Sequence, residues 1–218
     1  MRMQELANGE YYHVYNRGTD KRTIFQDELD FQRFWESILK FNVKDPIGSI
    51  YESRFNKLGN RTSKKTNNEK LVEFVCYCIN PNHYHFLLRQ VSDNGISEFI
   101  KRLSGGYTRY FNEKYKRSGV LFQGKFKAIH VDTDAYILHL SAYINLNYAV
   151  HKLGRPVTKF IKSSWDEFIG NDIENNCVKD IVLDQFNSTK EYKKFAMDSL
   201  KEIKRRKAEL KEIEFGNL

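Results

Sequence analysis

The sequence predicts an α+β fold built on an antiparallel sheet, and three observations predict it. Aromatic and β-branched runs of strand length alternate with segments whose apolar residues recur at helical spacing. A short turn, Asn80-Pro81-Asn82, joins two such runs as paired strands. The chain has 218 residues and is 40% hydrophobic, enough for a real core.

Tyr11 to Asn16 reads as the first strand, ended by Arg17-Gly18. From Asp27 to Val43, Phe31, Phe34, Trp35, Ile38, Leu39 and Phe41 recur at helical spacing and predict the first helix. Residues 45–70 are polar and basic and read as a mobile insertion. Leu71 to Ile79 and His83 to Val91 are the paired strands. Residues 96–117 form a second helix rich in basic groups and tyrosine, in which Gly105-Gly106 marks a kink or a close approach by another backbone. Another strand lies within 122–131, and Asp132-Thr133-Asp134 then caps a third helix running to about Val150. Strand–helix–strand–strand–helix–strand is the order of a ferredoxin-like split βαβ fold, here followed by an extra helix. The reading is one domain over residues 1–154 and a partly helical C-terminal extension over 155–218, where 190–214 is highly charged and lacks internal Gly or Pro.

The net charge of +8 and pI near 9.2 favour a polyanionic partner. An aromatic content of 14% tilts that choice toward nucleic acid, particularly single strands whose bases can stack. Three cysteines form no disulfide framework. There is no apolar run of membrane-spanning length and no signal-peptide core, so the expected setting is cytoplasmic, with no membrane partner.

His83 and His85 stand two apart at the start of a strand, so both imidazoles share one face of the sheet, ready for a divalent metal. On the third helix Tyr143 and Asn147 stand four apart on one face, with Tyr136 seven residues before Tyr143. Tyr143 could be ordinary core beside Ile137, Leu140 and Ile144. Asn147 resists that reading, because a buried amide costs free energy without a partner. If strand and helix face one another, two imidazoles and an amide oxygen can hold Mg²⁺ or Mn²⁺ with open positions for phosphate oxygens. A tyrosine beside such an ion has the makings of a covalent nucleophile.

Asn80-Pro81-Asn82-His83-Tyr84-His85-Phe86-Leu87-Leu88 resembles the HUH motif of single-strand DNA transposases with one catalytic tyrosine (IS200-like), most closely the REP-associated tyrosine transposases. Three further segments fit in the same order: Tyr12-His13-Val14-Tyr15-Asn16-Arg17-Gly18, Leu121-Phe122-Gln123-Gly124-Lys125-Phe126-Lys127 and Tyr143-Ile144-Asn145-Leu146-Asn147. The resemblance implies a transposase catalytic domain in residues 1–154, with His83, His85 and Asn147 as ligands of Mg²⁺ or Mn²⁺. It also implies that Tyr143 attacks DNA to give a 5′-phosphotyrosine link and a free 3′-OH. The implied substrate is single-stranded DNA with hairpin or REP-like structure, handled by a monomer or a homodimer. Two positions differ from the family pattern: Asn80 stands where Met is usual, and Tyr148 where Pro is usual.

Several residues carry competing readings. Tyr107 and Tyr110 suit stacking or phosphate contact, while Tyr136 is the rival nucleophile. His13 and His130 suit packing or DNA contact, His139 could bond Tyr143, and His151 faces solvent. Cys76 and Cys78 beside the histidines make a zinc site conceivable, although the spacing favours buried packing. DNA-contact candidates are Arg17, Lys101, Arg102, Arg109, Lys114, Lys116, Arg117, Lys125 and Lys127, with Phe122 and Phe126 as stacking platforms, one of the two being expected in the core. Two other functions fit the composition: a non-catalytic nucleic-acid-binding protein of this fold, and a metal-independent RNA-binding ferredoxin-like domain.

Overall fold

A computed structural model describes residues 5–50, 69–150, 159–171 and 174–216. Most of the 45–70 insertion, the boundary near 154–156 and His151 lie outside the described residues. Five strands form one antiparallel sheet: β1 (Tyr11–Arg17), β2 (Val72–Asn80), β3 (His83–Gln90), β4 (Lys127–Val131) and β5 (Lys162–Ser163), in the order β4-β1-β3-β2-β5. The first four follow the ferredoxin-like arrangement, and β5 extends the β2 edge.

Helices α1 (Glu28–Phe41) and α2 (Gly95–Lys114) pack together, with α2 against β2 and β3. Asp27 caps α1 by accepting a hydrogen bond from Asp30 N at 3.0 Å, which satisfies one of the helix's orphan donors. Asn42 ends α1, and its carboxamide bonds Leu71 N, Val72 N and Val72 O, so the chain re-enters β2 at a fixed point despite the long excursion between. Helix α2 runs unbroken through Gly105 and Gly106. The approach at Gly106 comes from the Phe41 side chain, whose ring would lie 3.0 Å from an added Cβ, and not from a second backbone.

Helix α3 (Asp134–Asn145), capped by Thr133, packs on β2 and β3, and a short α4 (Asn147–Val150) follows it. The expected continuous helix to Val150 therefore breaks at Leu146. There Asn145 is pulled into a buried network: it accepts from Ser164 Oγ at 2.6 Å and donates to Tyr192 Oη at 2.9 Å. Short helices α5 (Trp165–Phe168) and α6 (Asp180–Leu183) lead to α7 (Thr189–Gly216), which packs along α3. Tyr192, fully buried on α7, and Phe168, fully buried on α5, join the same core as the sheet. The C-terminal extension thus completes the packing of the helix that carries Tyr143. Among the described residues, no helix is long and apolar enough to cross a membrane.

Candidate active site

Register places the site. β1 and β3 pair so that Arg17 faces His83, Tyr15 faces His85 and His13 faces Leu87, while Tyr15 faces Lys127 on β4. Directly paired residues share a sheet face, so His13, Tyr15, Arg17, His83, His85 and Lys127 project together from the face that α3 covers. A cleft of about 640 Å³ opens there, lined by Tyr15, Asn16, Arg17, Lys21, Asn82, His83, His85, Gln123, Lys125, Lys127 and Tyr143.

The Tyr143 ring meets His85 edge-on at 5.5 Å between centroids and His13 at 6.3 Å. Asn147, fully buried, sets its Oδ1 3.0 Å from His83 Nε2. The elements therefore bring Tyr143, His83, His85 and Asn147 to one place within a single chain, although Asn147 reaches it from α4 and not from α3. Burial raises the Tyr143 pKa above its ordinary value, and the nearby Asn147 carboxamide opposes that rise. The resting side chain is a neutral phenol.

His83 Nδ1 lies 2.6 Å from Asn82 Oδ1 and His83 Nε2 lies 3.0 Å from Asn147 Oδ1, both acceptors, so the one proton of the neutral ring can serve only one of them; with the proton toward the closer Asn82, Nε2 keeps its lone pair. Burial lowers the His83 pKa, keeping the ring neutral near pH 7. Nε2 thus faces another acceptor, Asn147 Oδ1, at hydrogen-bond distance. Asn80 Nδ2 donates to both, at 3.1 and 3.0 Å. Two lone pairs aimed at one point are what a hard or borderline cation requires, and mixed imidazole and carboxamide donors suit Mn²⁺ or Mg²⁺. Among the described residues, no group of three or more His, Cys, Asp and Glu side chains is arranged to hold a metal ion, so a cation held by the two histidines would need a donor of another kind, and the Asn147 carboxamide oxygen can be one. Cys78 pairs with His85 across the strands, but burial pushes its thiol up to about 12 and that of Cys76 well above the usual range. Among the described residues the two cysteines do not join the histidines in a group that could hold a metal ion, which disfavours the zinc alternative.

His13 extends the site beyond the expected residues. Its Nε2 lies 2.9 Å from His85 Nδ1, with one proton shared between the rings. If His85 Nδ1 donates, His85 Nε2 keeps its lone pair, so His13 orients a ligand. Alternation along β1 was the available signal, but it becomes decisive only once the β1–β3 register is known. His13 is 7% exposed, and burial lowers its pKa from 6.5 to about 4. In the unfolded chain the ring titrates near 6.5, so between these values the unfolded state binds a proton that the native state does not. The stability contributed is complete above pH 6.5 and is lost as pH falls toward 4, on the order of 3 kcal/mol in all. In chelator-treated protein the denaturation midpoint should fall steeply over that window, and His13→Gln should flatten the fall; an unchanged acid limb would contradict the assignment. The depressed His83 acts in the same direction and leaves a residual slope.

The other candidates divide sharply. Arg17, Lys125 and Lys127 line the cleft, with the Arg17 Nε donating to Gln123 Oε1. Lys101 and Arg109 are exposed on α2, in ion pairs with Glu98 and Glu113. Arg117 donates to Asn112 Oδ1 and Val120 O. Three expectations need correction. Phe122 is 5% exposed and packs on Phe34 and Tyr84, so no ring face is open to a base. Lys114 lies 2.6 Å from Asp27 and 2.8 Å from the fully buried Asp30, a structural ion pair. Arg102 is held by Glu98 and the carbonyls of Val43 and Lys44. Tyr107 is buried with its hydroxyl on Ile24 O, Tyr110 bonds Asp30, His130 pairs with Glu10, and the His139 ring packs on Phe195 of α7.

The sequence profile of the family described as "Transposase IS200 like" matches residues 8–147. No curated protein matches the chain. Among solved structures, a REP-associated tyrosine transposase bound to a REP hairpin is similar at a TM-score of 0.47 and 14% identity, over 86% of this chain and 94% of that one. A candidate transposase from Deinococcus radiodurans R1 is similar at a TM-score of 0.36 and 14% identity, over 63% and 90%.

Proposed function

This chain belongs to the IS200-like transposase family, and from that premise we propose that its cleft nicks and rejoins single-stranded, hairpin-bearing DNA through a covalent link to Tyr143. The observation that supports this most is the convergence of Tyr143 and the His83/His85 imidazoles in a cleft that Arg17, Lys125 and Lys127 also line, with the buried Asn147 amide against His83.

His83, His85 and Asn147 would hold Mg²⁺ or Mn²⁺, which when bound polarises a scissile phosphate and favours the phenolate. Tyr143 Oη forms a bond to phosphorus as the bond from phosphorus to the 3′ oxygen breaks. The phenol gives up its proton, and the departing oxygen leaves protonated as a 3′-OH. One phosphoester replaces another, so the same residues run the step backward and rejoin strands without an external energy source. The raised pKa of the buried phenol keeps Tyr143 protonated until substrate and ion are in place. Arg17, Lys125 and Lys127 bind and orient the flanking phosphates.

The test is incubation of protein, Mn²⁺ and hairpin-bearing single-stranded DNA, followed by a denaturing gel. A protein–DNA adduct is expected, absent with chelator and absent in His83→Ala. Tight binding with no adduct for any hairpin tried would replace this reading with a non-catalytic binder. In the same binding assay, Lys125→Ala and Lys127→Ala should each make the log–log salt slope shallower by about 0.7, whereas Lys101→Ala, on the opposite side of the sheet, should leave it unchanged. Equal effects at all three lysines would move the DNA path away from the cleft.

A further inference from the structure

We propose that Asn80 is a ligand of the cation site, so that this chain grips its ion with two carboxamides; the inference rests on the metal-dependent reading above. Asn80 Nδ2, His83 Nε2 and Asn147 Oδ1 form a nearly equilateral triangle with sides of 3.0, 3.0 and 3.1 Å. Such edges match one face of an octahedron whose metal–ligand bonds are about 2.1 Å. Two vertices already carry lone pairs. The third becomes a lone-pair atom when the Asn80 amide turns over, exchanging Nδ2 for Oδ1.

Asn80 is fully buried, yet among the described residues its Oδ1 has no hydrogen-bond partner, and neither has Nδ2 of the equally buried Asn147. A buried amide with one end unsatisfied is costly, and here two such amides meet, by their other ends, at the His83 ring. As oriented, the Asn80 NH₂ caps the lone pairs of His83 and Asn147, with a weaker contact to Cys78 Sγ at 3.6 Å. After the turn, three acceptors face one another, an arrangement that is stable only around a cation. The amide thus serves as placeholder without the ion and as oxygen ligand with it. Asn82 Oδ1, 2.6 Å from His83 Nδ1, offers the ring proton a partner on the side away from the triangle.

Mn²⁺ affinity of the full-length chain, measured by titration calorimetry and by the EPR signal of free Mn²⁺, tests this in wild type, Asn80→Met and Asn80→Asp. Asn80→Met keeps side-chain length and removes the oxygen, so affinity should fall about ten- to a hundredfold. Asn80→Asp supplies oxygen in either orientation and should bind more tightly than wild type. Melting in chelator monitors the fold of both, and Asn80→Asp alone decides if Asn80→Met does not fold. Affinity in Asn80→Met equal to or above wild type, or weaker binding in Asn80→Asp, overturns the proposal, since an amide that only caps the ligands would compete with the ion. Adduct formation in the same preparations separates the two readings: wild type that binds Mn²⁺ without forming adduct overturns the nucleophile and not Asn80. Wild type that binds no Mn²⁺ overturns both.

Discussion

Tyr143→Phe is expected to eliminate the covalent protein–DNA adduct and lower nicking by at least about a thousandfold, with DNA affinity and melting temperature close to wild type. The substitution deletes one oxygen and keeps the ring that packs edge-on against His85 and His13. A loss confined to chemistry is therefore the signature of a nucleophile, while a core role would show as lost stability. Tyr136→Phe is the matched control. It sits seven residues earlier on α3, about 10 Å along the helix axis, and is 37% exposed near the helix start. It should retain the adduct, and loss of the adduct in Tyr136→Phe with retention in Tyr143→Phe would reverse the assignment.

The second large effect is on stability. Lys114→Ala should destabilise the fold by about 3 kcal/mol, read from the shift in urea midpoint at constant m-value. Asp30 is fully buried, and its two oxygens are shared among Lys114, Tyr110, Tyr115 and the Gln26 amide. Removing the ammonium leaves a buried carboxylate without its counter-charge, the costly half of breaking an internal ion pair. Asp30→Asn in the Lys114→Ala background should recover part of the loss, because the orphaned charge goes too. The salt slope of DNA binding should not change, and a shallower slope with unaltered stability would return Lys114 to the DNA surface.

Much of this molecule was legible in its residues because the relevant signals are local. The His83/His85 alternation, the Asn80-Pro81-Asn82 turn and the helical periodicity of α1 each depend on neighbours a few positions away, and the strand–helix order then dictates the topology. What escaped depends on register and on distant partners. His13 reads as a lone histidine until β1 is laid beside β3. Lys114 reads as a surface cation until Asp30, 84 residues earlier in the chain, is placed beside it. Asn80 reads as a turn residue because nothing local reports that its amide meets Asn147 across the core. The break at Leu146 has the same origin: no glycine or proline announces it, and the pull on Asn145 comes from Ser164 and Tyr192.

Mass spectrometry of the trapped adduct reads out the nucleophile itself. The tryptic peptide covering residues 128–152 contains Tyr136, Tyr143 and Tyr148, and fragmentation assigns the nucleotide mass among them. A 5′-phosphotyrosine on Tyr143 is expected. Nucleotide mass on Tyr136 or Tyr148, or on a peptide outside this stretch, would contradict it.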